Sequence, residues 1–296
     1  MSGVRARRIP AGALGACAGE EWVDPSRRPF VAGGTAWVPV RDGYAWDEDL
    51  PGRSSPAARG YQRLGDLVLF HGPRPDDRAV HDAVARCSPR GVLWVRGHTG
   101  PERRPEVEVI EGEACEVVAR ENGLVFHLDP TTVMFSGGNR EEKARLAGLV
   151  RPGERVADLF SGIGYFTLPV ARAGARVHAM EINPVAFGYL ERNLAVNELA
   201  DRVDAELGDC RDLLSGTYDR LLLGHFDAPG FLSDALAHAR AGSVLHVHAA
   251  ERAPGALSPS LARAAACTGL EASSSWRAVK SCGPHRVHTV YDMVIL

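Results

Sequence analysis

The chain has 296 residues, of which 45% are hydrophobic and 24% charged, with a net charge of −3 and a pI near 6.4. This balance is typical of a globular protein with one large and one smaller domain, and no apolar run reaches the roughly 18 residues of a membrane span. The basic start leads into Pro10 and Gly12 rather than an apolar stretch, so we expect no secretory signal and a cytoplasmic protein.

The charged and sulfur-containing residues narrow the classes of function. The six cysteines lack the close pairs of a zinc site or a disulfide framework, which favours a reducing compartment and predicts no metal. Only two of the 34 Lys and Arg residues are lysines, Lys143 and Lys280. The near-neutral total charge gives no overall attraction to phosphate backbones.

Three segments follow one another along the chain. Residues 1–58 are rich in Gly, Pro and Arg and predict an irregular N-terminal segment with one short strand at 37–40. Residues 59–129 predict a small α+β domain. Its predicted elements are a strand at 67–70, a helix at 77–87, a strand at 91–95, and a hairpin of 115–119 and 124–129 around Asn122-Gly123.

Residues 130–296 alternate between strands and helices. Asn139 and Glu142 have the spacing of a capping box, which predicts a helix start. Strands are predicted at 156–160, 176–181, 203–207, 220–226, 243–248, 273–279 and 287–295. The last two adjoin as an antiparallel pair would. This predicts an α/β doubly wound sheet of seven strands with the last one antiparallel, the arrangement of class I methyltransferases.

A glycine-containing loop follows the first of these strands. The strand ends at Asp158–Phe160, and Gly162 and Gly164 allow a sharp turn into a helix, which places a ligand at the carboxyl edge of the sheet. Thr167 stands where a dinucleotide fingerprint needs a third small residue. Asp158 would also repel a pyrophosphate, whereas it suits a cationic ligand.

Carboxylates end the next two strands as well. Glu181 lies about 20 residues beyond the loop, where such a residue accepts hydrogen bonds from ribose hydroxyls. Asp209 ends the third strand, where it can accept a hydrogen bond from an adenine amino group. With Asp158 they form an adenosyl site without a phosphate partner, so we predict S-adenosylmethionine rather than a nicotinamide nucleotide.

Five motifs then show a family resemblance. They are residues 126–139 (FHLDPTTVMFSGGN), 158–169 (DLFSGIGYFTLP), 181–184 (EINP), 207–210 (LGDC) and 224–232 (GHFDAPGFL). They resemble the family of tRNA guanine-N1 methyltransferases and wybutosine-synthesising aminocarboxypropyltransferases, which implies a class I fold and S-adenosylmethionine as donor. The resemblance covers the chain from about Tyr61 to its end.

The resemblance also implies individual binding residues. Ser136 and Lys143 match residues that hold the methionine end of the donor, and Glu181 matches the ribose ligand. Asp209 and Cys210 match the adenine contacts. Other residues of the same motifs complete the predicted cofactor site: Phe135, Asp158, Phe160, Gly162, Gly164, Ile182 and Gly224.

Lys143 is also unusual by itself. An ammonium in the first turn of a helix opposes the helix dipole, so a bound carboxylate would explain it. Because nearly all the other basic residues of the chain are arginines, a lysine at this position supports this interpretation. The alternative is a solvated helix face.

The segment after the fourth strand separates the two branches of the family. Methyltransferases carry an Asn-x-Pro motif there, whereas this chain has Gly224-His225-Phe226, which resembles the aminocarboxypropyl branch. That branch transfers the 3-amino-3-carboxypropyl group and releases methylthioadenosine.

The slightly acidic composition favours a small acceptor over tRNA. We expect a phenol oxygen of a nocardicin-type β-lactam, as used by the bacterial isonocardicin synthases in antibiotic biosynthesis. There are two alternatives. The first is an enzyme that transfers an aminocarboxypropyl or a methyl group to tRNA, and the second is a non-catalytic S-adenosylmethionine-binding protein. A phenol needs a base, for which His225 with Asp227 as orienting carboxylate is the first candidate and His246 with His248 the second.

Overall fold

The computed structural model describes residues 4–17, 19–24, 29–50, 60–100, 102–135, 137–283 and 286–296. It divides the chain into two compact units, Met1–Gly60 and Tyr61–Leu296. The further division of the second unit at residues 129 and 130 stays a prediction.

The first unit contains a four-stranded antiparallel sheet of order β2-β3-β1-β4. Its strands are β1 Val4–Pro10, β2 Phe30–Ala32, β3 Thr35–Pro39 and β4 Glu48–Leu50. Sequence analysis predicts only one of them. Two of the others have three residues each, too few for a period-two pattern to stand out, and their pairing is set by partners distant in sequence.

The second unit begins with a four-stranded sheet of order β5-β6-β7-β8 and one helix. The elements are β5 Tyr61–Leu64, β6 Leu67–His71, α1 Asp77–Cys87, β7 Gly91–Thr99 and β8 Arg104–Gly112. Helix α1 starts where the Asp76 side chain accepts a hydrogen bond from the Ala79 amide at 2.8 Å.

The predicted hairpin is confirmed as β9 Val117–Glu121 and β10 Leu124–Leu128. Asn122 and Gly123 have φ angles of 51° and 78°, the left-handed conformation that a tight hairpin turn requires. The exposed edge of β10 is covered by a later helix, whose Asn193 and Asn197 side chains accept hydrogen bonds from the amides of His127 and Val125 at 2.7 and 2.9 Å. The hairpin is thereby held against the main sheet.

The main sheet has the order β13-β12-β11-β14-β15-β17-β16. Its strands are β11 Arg155–Asp158, β12 Arg176–Glu181, β13 Val203–Leu207, β14 Arg220–Leu223, β15 Val244–Glu251, β16 Ala272–Gly283 and β17 Arg286–Ile295. The first five are parallel, and β17 runs antiparallel to both of its neighbours. The class I methyltransferase-like fold is therefore confirmed.

Six helices accompany this sheet. They are α2 Arg140–Leu149, α3 Thr167–Arg172, α4 Pro184–Val196, α5 Cys210–Leu213, α6 Leu232–Ala237 and α7 Ser258–Cys267. The predicted capping box of α2 does not form, because the Asn139 side chain makes no cap hydrogen bond and Glu142 pairs with Arg145 instead.

The strand order reverses between β11 and β14, since β12 and β13 lie on one side of β11 and β14 and β15 on the other. Parallel strands all end at one edge, and the crevice at such a reversal is where ligands bind in open α/β sheets. Buried apolar clusters fill both faces of the sheet, which leaves this edge as the accessible one.

Candidate active site

A cavity of about 330 Å³ opens at this carboxyl edge. It is lined by Glu102, Arg103, Val133, Met134, Asn139, Leu159, Phe160, Gly162, Ile163, Tyr165, Phe166, Glu181, Ile182, Asn183, Ala186, Gly208, Asp209, Cys210, Arg211, Gly224, His225, Asp227 and Phe231. Most of these residues come from the segments that follow β11, β12, β13 and β14. The walls combine apolar side chains with a few carboxylates, as expected for a cationic nucleoside ligand.

The glycines of the loop after β11 have different functions. Gly162 lines the cavity at a φ of +56°, and its amide donates a hydrogen bond to Glu181 Oε2 at 2.7 Å. Gly164 has a φ of +101°, and a Cβ there would lie 1.9 Å from Leu168 Cδ1. The first therefore faces the ligand side, whereas the second allows the loop to pack against α3.

Glu181 has hydrogen bonds to both carboxylate oxygens and is nearly buried. Its Oε1 accepts from the Asn183 amide and its Oε2 from the Gly162 amide, both at 2.7 Å. Burial raises the pKa of Glu181, and these backbone hydrogen bonds oppose that shift. Each oxygen keeps a second lone pair, so the carboxylate can accept from two ribose hydroxyls.

Asp158 is fully buried and does not belong to the described cavity wall. Its Oδ2 accepts a hydrogen bond from Thr167 Oγ1 at 2.7 Å, which ties the end of β11 to the start of α3. Burial raises the pKa of Asp158 to about 7, against the hydrogen bond from Thr167. The Asp158 carboxyl thus stabilises the loop through Thr167, and its contact with a cationic ligand stays a prediction.

This raised pKa predicts a pH-dependent stability. The folded state holds the Asp158 proton up to about pH 7, whereas an unfolded Asp loses it near pH 4. The folded protein therefore binds more protons in this window, and its free energy of unfolding is expected to fall as the pH rises from about 4 to 7. Urea titrations across this range should show a smaller fall for Asp158→Asn. An unchanged slope in that variant would contradict the assignment.

Asp209 and Cys210, the residues predicted at the adenine end, line the cavity together with Ile182, another predicted cofactor-site residue. Asp209 accepts from the Arg211 amide at 3.0 Å and forms an ion pair with its guanidinium, which lowers the pKa of Asp209. Ile182 is 42% exposed and offers an apolar face for a ring. Burial raises the pKa of the Cys210 thiol to about 12. The thiol therefore stays neutral and lines the cavity without acting as a nucleophile.

Of the two residues predicted to hold the methionine end, the structure describes only Lys143, which is not among the residues that line the cavity. Ser136 falls outside the described residues. Lys143 is 1% exposed, and its Nζ lies 3.0 Å from Glu121 Oε1 and 5.0 Å from the centre of the Tyr165 ring, which does line the cavity. Phe135 packs on the same Tyr165 ring at 6.0 Å. Burial lowers the pKa of Lys143, and Glu121 opposes this.

His225 lies in the cavity wall at the end of β14. Its ring packs 5.3 Å from that of Phe160, and its Nδ1 accepts a hydrogen bond from the Asp227 amide at 3.1 Å. Gly224 precedes it, and a Cβ there would lie 2.8 Å from the Phe166 ring. Burial lowers the pKa of His225, and the Arg103 guanidinium adds to this effect. The imidazole is therefore neutral at pH 7.

The tautomer of His225 follows from its partner. Because Nδ1 accepts the amide hydrogen, the neutral ring carries its own hydrogen on Nε2. This Nε2 is buried and has no hydrogen-bond partner among the residues that the structure describes. The Asp227 carboxylate lies 3.6 Å from Nδ1 and is 82% exposed. As placed, His225 carries its hydrogen on Nε2, and its function as a base stays a prediction that requires the other tautomer.

The second histidine pair lies behind the cavity. His246 contacts Asp292 through Nδ1 at 2.6 Å and Arg220 through Nε2 at 2.7 Å. His248 lies 3.0 Å from His288, nitrogen to nitrogen, and neither member of the pair belongs to the described cavity lining. The two rings thus have different hydrogen-bond partners, and their function as an acid–base pair stays a prediction.

Sequence reasoning missed several cavity residues. Glu102 and Arg103 come from the turn between β7 and β8, far away in sequence, and no local pattern marks them. Tyr165, Asn183 and Phe231 lie within the quoted motifs or next to them and could have been found by their position.

Two further observations apply to the described residues alone. No group of three His, Cys, Asp or Glu side chains among them has the arrangement of a metal site. In the same part of the chain, no helix has the length and apolar character needed to cross a membrane.

Relatives of the chain share both its sequence and its fold. Residues 117–265 match the family described as the TRM5/TYW2 methyltransferase domain. The tRNA(Phe) (4-demethylwyosine(37)-C(7)) aminocarboxypropyltransferase of Methanocaldococcus jannaschii is 34% identical over 193 residues, 64% of this chain and 77% of that protein. The enzyme of the same name from Pyrococcus horikoshii is 37% identical over 194 residues, 63% of this chain and 69% of that protein. The human tRNA wybutosine-synthesizing protein 2 homolog is 36% identical, over 72% of this chain and 50% of its own length.

Solved structures agree with these matches. The structure of P. horikoshii TYW2 in complex with MeSAdo has a TM-score of 0.67 at 29% identity and covers 80% of this chain and 90% of that one. The structure of M. jannaschii TYW2 in complex with AdoMet has a TM-score of 0.63 at 26% identity, with coverages of 79% and 98%. The M. jannaschii tRNA m1G37 methyltransferase shares the fold at a TM-score of 0.74 and 20% identity, over 98% of both chains.

The prediction of a small-molecule acceptor, with tRNA disfavoured, is wrong. The archaeal relatives are named for tRNA(Phe) and the human one for tRNA wybutosine synthesis, so neither a β-lactam phenol nor antibiotic biosynthesis finds support. The error came from the net charge, because a sum over the whole surface does not report the charge around one site. The fold, the adenosyl-type cavity and the sequence matches agree, and the chain belongs to the TRM5/TYW2 family of S-adenosylmethionine-dependent transferases.

Proposed function

We propose that this protein transfers the 3-amino-3-carboxypropyl group of S-adenosylmethionine to a base of tRNA, with a wybutosine precursor at position 37 of tRNA(Phe) as the acceptor class. The observation that carries the proposal is the 34% and 37% identity to two aminocarboxypropyltransferases of tRNA(Phe). The family match at residues 117–265 includes most of the cavity wall. A cytoplasmic location belongs to the same proposal.

The predicted donor fits the cavity residues by their chemistry. We assign Glu181 to the ribose hydroxyls, since both of its oxygens keep a free lone pair. Asp209, Ile182 and Cys210 form the adenine end, and Gly162 lets the backbone approach the ligand. S-Adenosylmethionine supplies an electrophilic carbon beside its sulfonium. The protein's task is to align that carbon with the acceptor.

The transfer balances without a metal or a redox partner. A bond forms between the acceptor base and the γ-carbon of the methionine chain, while the bond from that carbon to sulfur breaks. Its electron pair stays on sulfur, so methylthioadenosine leaves as a neutral thioether, and the acceptor base releases one proton to solvent water. We assign His225, in the cavity wall, to the acceptor side, where its Nε2–H would donate to a carbonyl oxygen of the base.

Product analysis tests the function directly. The protein is incubated with labelled S-adenosylmethionine and tRNA(Phe) that carries the wybutosine precursor, and the nucleoside products are identified by mass spectrometry. Methylthioadenosine, formed only with the modified tRNA, is the expected result. S-Adenosylhomocysteine would instead mean methyl transfer, and donor binding without turnover under all conditions would mean a non-catalytic binding protein.

A tRNA acceptor requires basic side chains on the protein, and we assign one such role to Lys280. Lys280 lies on β16 directly opposite His288 on β17. It lowers the pKa of His288 and of His71 in β6, in addition to the effect of burial. Burial lowers the pKa of Lys280, and no carboxylate of the described residues is among the groups that shift this pKa. Its charge is therefore available to a phosphate.

Lys280→Gln is therefore expected to weaken tRNA binding about threefold to tenfold and to lower the slope of log Kd against log salt by about 0.7–0.9, the loss of one phosphate contact. Donor affinity should not change. Titrations at several salt concentrations measure both quantities, and Arg263→Gln on the exposed face of α7 is the charge-matched control. An unchanged salt slope would place Lys280 outside the RNA path.

A further inference from the structure

Strand β6 of the front sheet, β5-β6-β7-β8, directs a histidine towards the main sheet. His71 is the last residue of β6 and shares one face of that strand with Leu67 and Leu69, because side chains alternate between the two faces. Both leucines belong to the buried cluster between the two sheets, which also contains Val156 of β11. His71 itself is exposed, so it lies at the open end of the space between the sheets.

A β-bulge directs Lys280 of the main sheet to the same space. The register of β16 against β17 shifts by one residue between Ala278 and Lys280, which then lies opposite His288. Residues directly opposite each other share a face of the sheet, so Lys280 lies on the face of His288. That face is turned to the front sheet. His288 lies 3.0 Å from His248, nitrogen to nitrogen, and His248 packs on Phe166 of the buried cluster.

A second bulge has the same effect on His98 of the front sheet. The register of β7 against β8 shifts by one residue between Val95 and Gly97, so that His98 lies opposite Pro105. Pro105 and Val107 share one face of β8, and Val107 packs against the buried cluster. His98 therefore faces the main sheet as well. Bulges next to active sites change the direction of side chains, and here each of the two brings a basic residue into one space.

The basic groups in this space repel one another. Burial lowers the pKa of His71, and the Lys280 ammonium adds to this effect. Burial also lowers the pKa of His98 to about 4, with further contributions from Arg103 and His71. Among the described residues, no carboxylate contributes to the pKa shifts of His71, His98 or Lys280. Both imidazoles are therefore neutral at pH 7, and the space has an excess of positive charge.

An anion with several oxygen atoms fits this space. A phosphate attracts the Lys280 ammonium and raises the pKa of each imidazole, because a nearby negative charge favours the protonated ring. Each protonated ring then donates a charge-assisted hydrogen bond to a phosphate oxygen. The three side chains do not belong to the described cavity lining, whereas Arg103, which acts on His98, does. The donor contains no phosphate, but a nucleic-acid acceptor carries one for each nucleotide.

We propose that His71, His98 and Lys280 together bind one phosphate of the acceptor strand in the space between the front sheet and the main sheet, beside the donor cavity. The proposal rests on the proposed function, since it takes tRNA as the acceptor, and it adds two histidines to the role assigned to Lys280. The bound phosphate keeps the two rings protonated. Binding therefore takes up protons, and the affinity for tRNA rises as the pH falls from about 8 to about 6.

The test measures the binding of tRNA(Phe) at about pH 6 and about pH 8. The wild type is expected to bind roughly tenfold more tightly at the lower pH, since one pKa unit corresponds to a factor of ten. In a protein with both His71→Gln and His98→Gln this ratio should fall below about twofold, whereas Lys280→Gln should weaken binding at both pH values. The matched control is His81→Gln in α1, an exposed residue, which should bind like the wild type.

Calorimetry in two buffers with different enthalpies of ionisation counts the protons. The wild type should take up about one proton when it binds tRNA(Phe) near pH 7, and the protein with both histidine substitutions almost none. Binding of S-adenosylmethionine shows that each variant is folded. Unchanged proton uptake or an unchanged pH ratio in the folded variant would overturn the proposal.

Inorganic phosphate is the second probe. If it shifts the NMR signals of the His71 and His98 rings and tRNA(Phe) does not, the ligand is a small phosphate and the assignment to the acceptor strand is wrong. Product analysis separates this inference from the proposed function. Methylthioadenosine formed with tRNA(Phe), together with a pH ratio that does not depend on the two histidines, would contradict this inference alone. A wild type with neither turnover nor affinity for tRNA(Phe) would contradict both.

Discussion

Replacing Glu181 by glutamine is expected to weaken the binding of S-adenosylmethionine by roughly ten- to a hundredfold. Both carboxylate oxygens accept backbone hydrogen bonds, from Gly162 and Asn183, and a glutamine has only one oxygen to offer. Its NH₂ group would face one of these amide donors. It would also place a hydrogen-bond donor where the ribose hydroxyl needs an acceptor. Losing a hydrogen bond to a charged group costs about 1.5–3 kcal/mol, and about 1.4 kcal/mol corresponds to a factor of ten.

Calorimetry with S-adenosylmethionine and with methylthioadenosine measures this effect. Both ligands contain the ribose, so Glu181→Gln should weaken the binding of both equally. The matched control is Glu206→Gln on the adjacent strand β13, where the carboxylate pairs with His178 and is 42% exposed. If a folded Glu181→Gln protein bound both nucleosides as the wild type does, the adenosyl site would not lie at the end of β12.

A methyl group at Gly164 is expected to destabilise the protein by roughly 2–5 kcal/mol. The residue has a φ of +101°, which an alanine adopts only with strain. Its new Cβ would also lie 1.9 Å from Leu168 Cδ1 and 3.2 Å from Leu190 Cδ1, and both leucines are fully buried. Leu168 cannot move without disturbing α3, so the cost of the backbone strain and the cost of the overpacking add to each other.

Urea unfolding of Gly164→Ala against Gly188→Ala provides the comparison. Gly188 lies on the exposed face of α4 with nothing within 4 Å of a new Cβ, and alanine there should stabilise by about 0.5–1 kcal/mol. The same substitution is therefore expected to have opposite signs at two sites. A Gly164→Ala protein as stable as the wild type would show that the loop does not need its left-handed turn.

The amino-acid sequence by itself determined the local parts of this protein. The Asn122-Gly123 turn, the strand and glycine loop from Val156 to Phe166, and the carboxylates Glu181 and Asp209 at strand ends were all predictable. In each case the signal lies within a few neighbouring residues, because turn conformation and the end of a strand depend on local backbone preferences.

The tertiary structure decided which way the side chains face and which partners they meet. Asp158 is fully buried, Lys143 meets Glu121 of a distant hairpin, and Arg103 enters the cavity from another sheet. The charges that surround Lys280 are likewise set by the tertiary structure. These contacts join residues far apart in sequence, and an electrostatic interaction depends on distance in space and on burial. Neither quantity can be read from composition or from the spacing of residues along the chain.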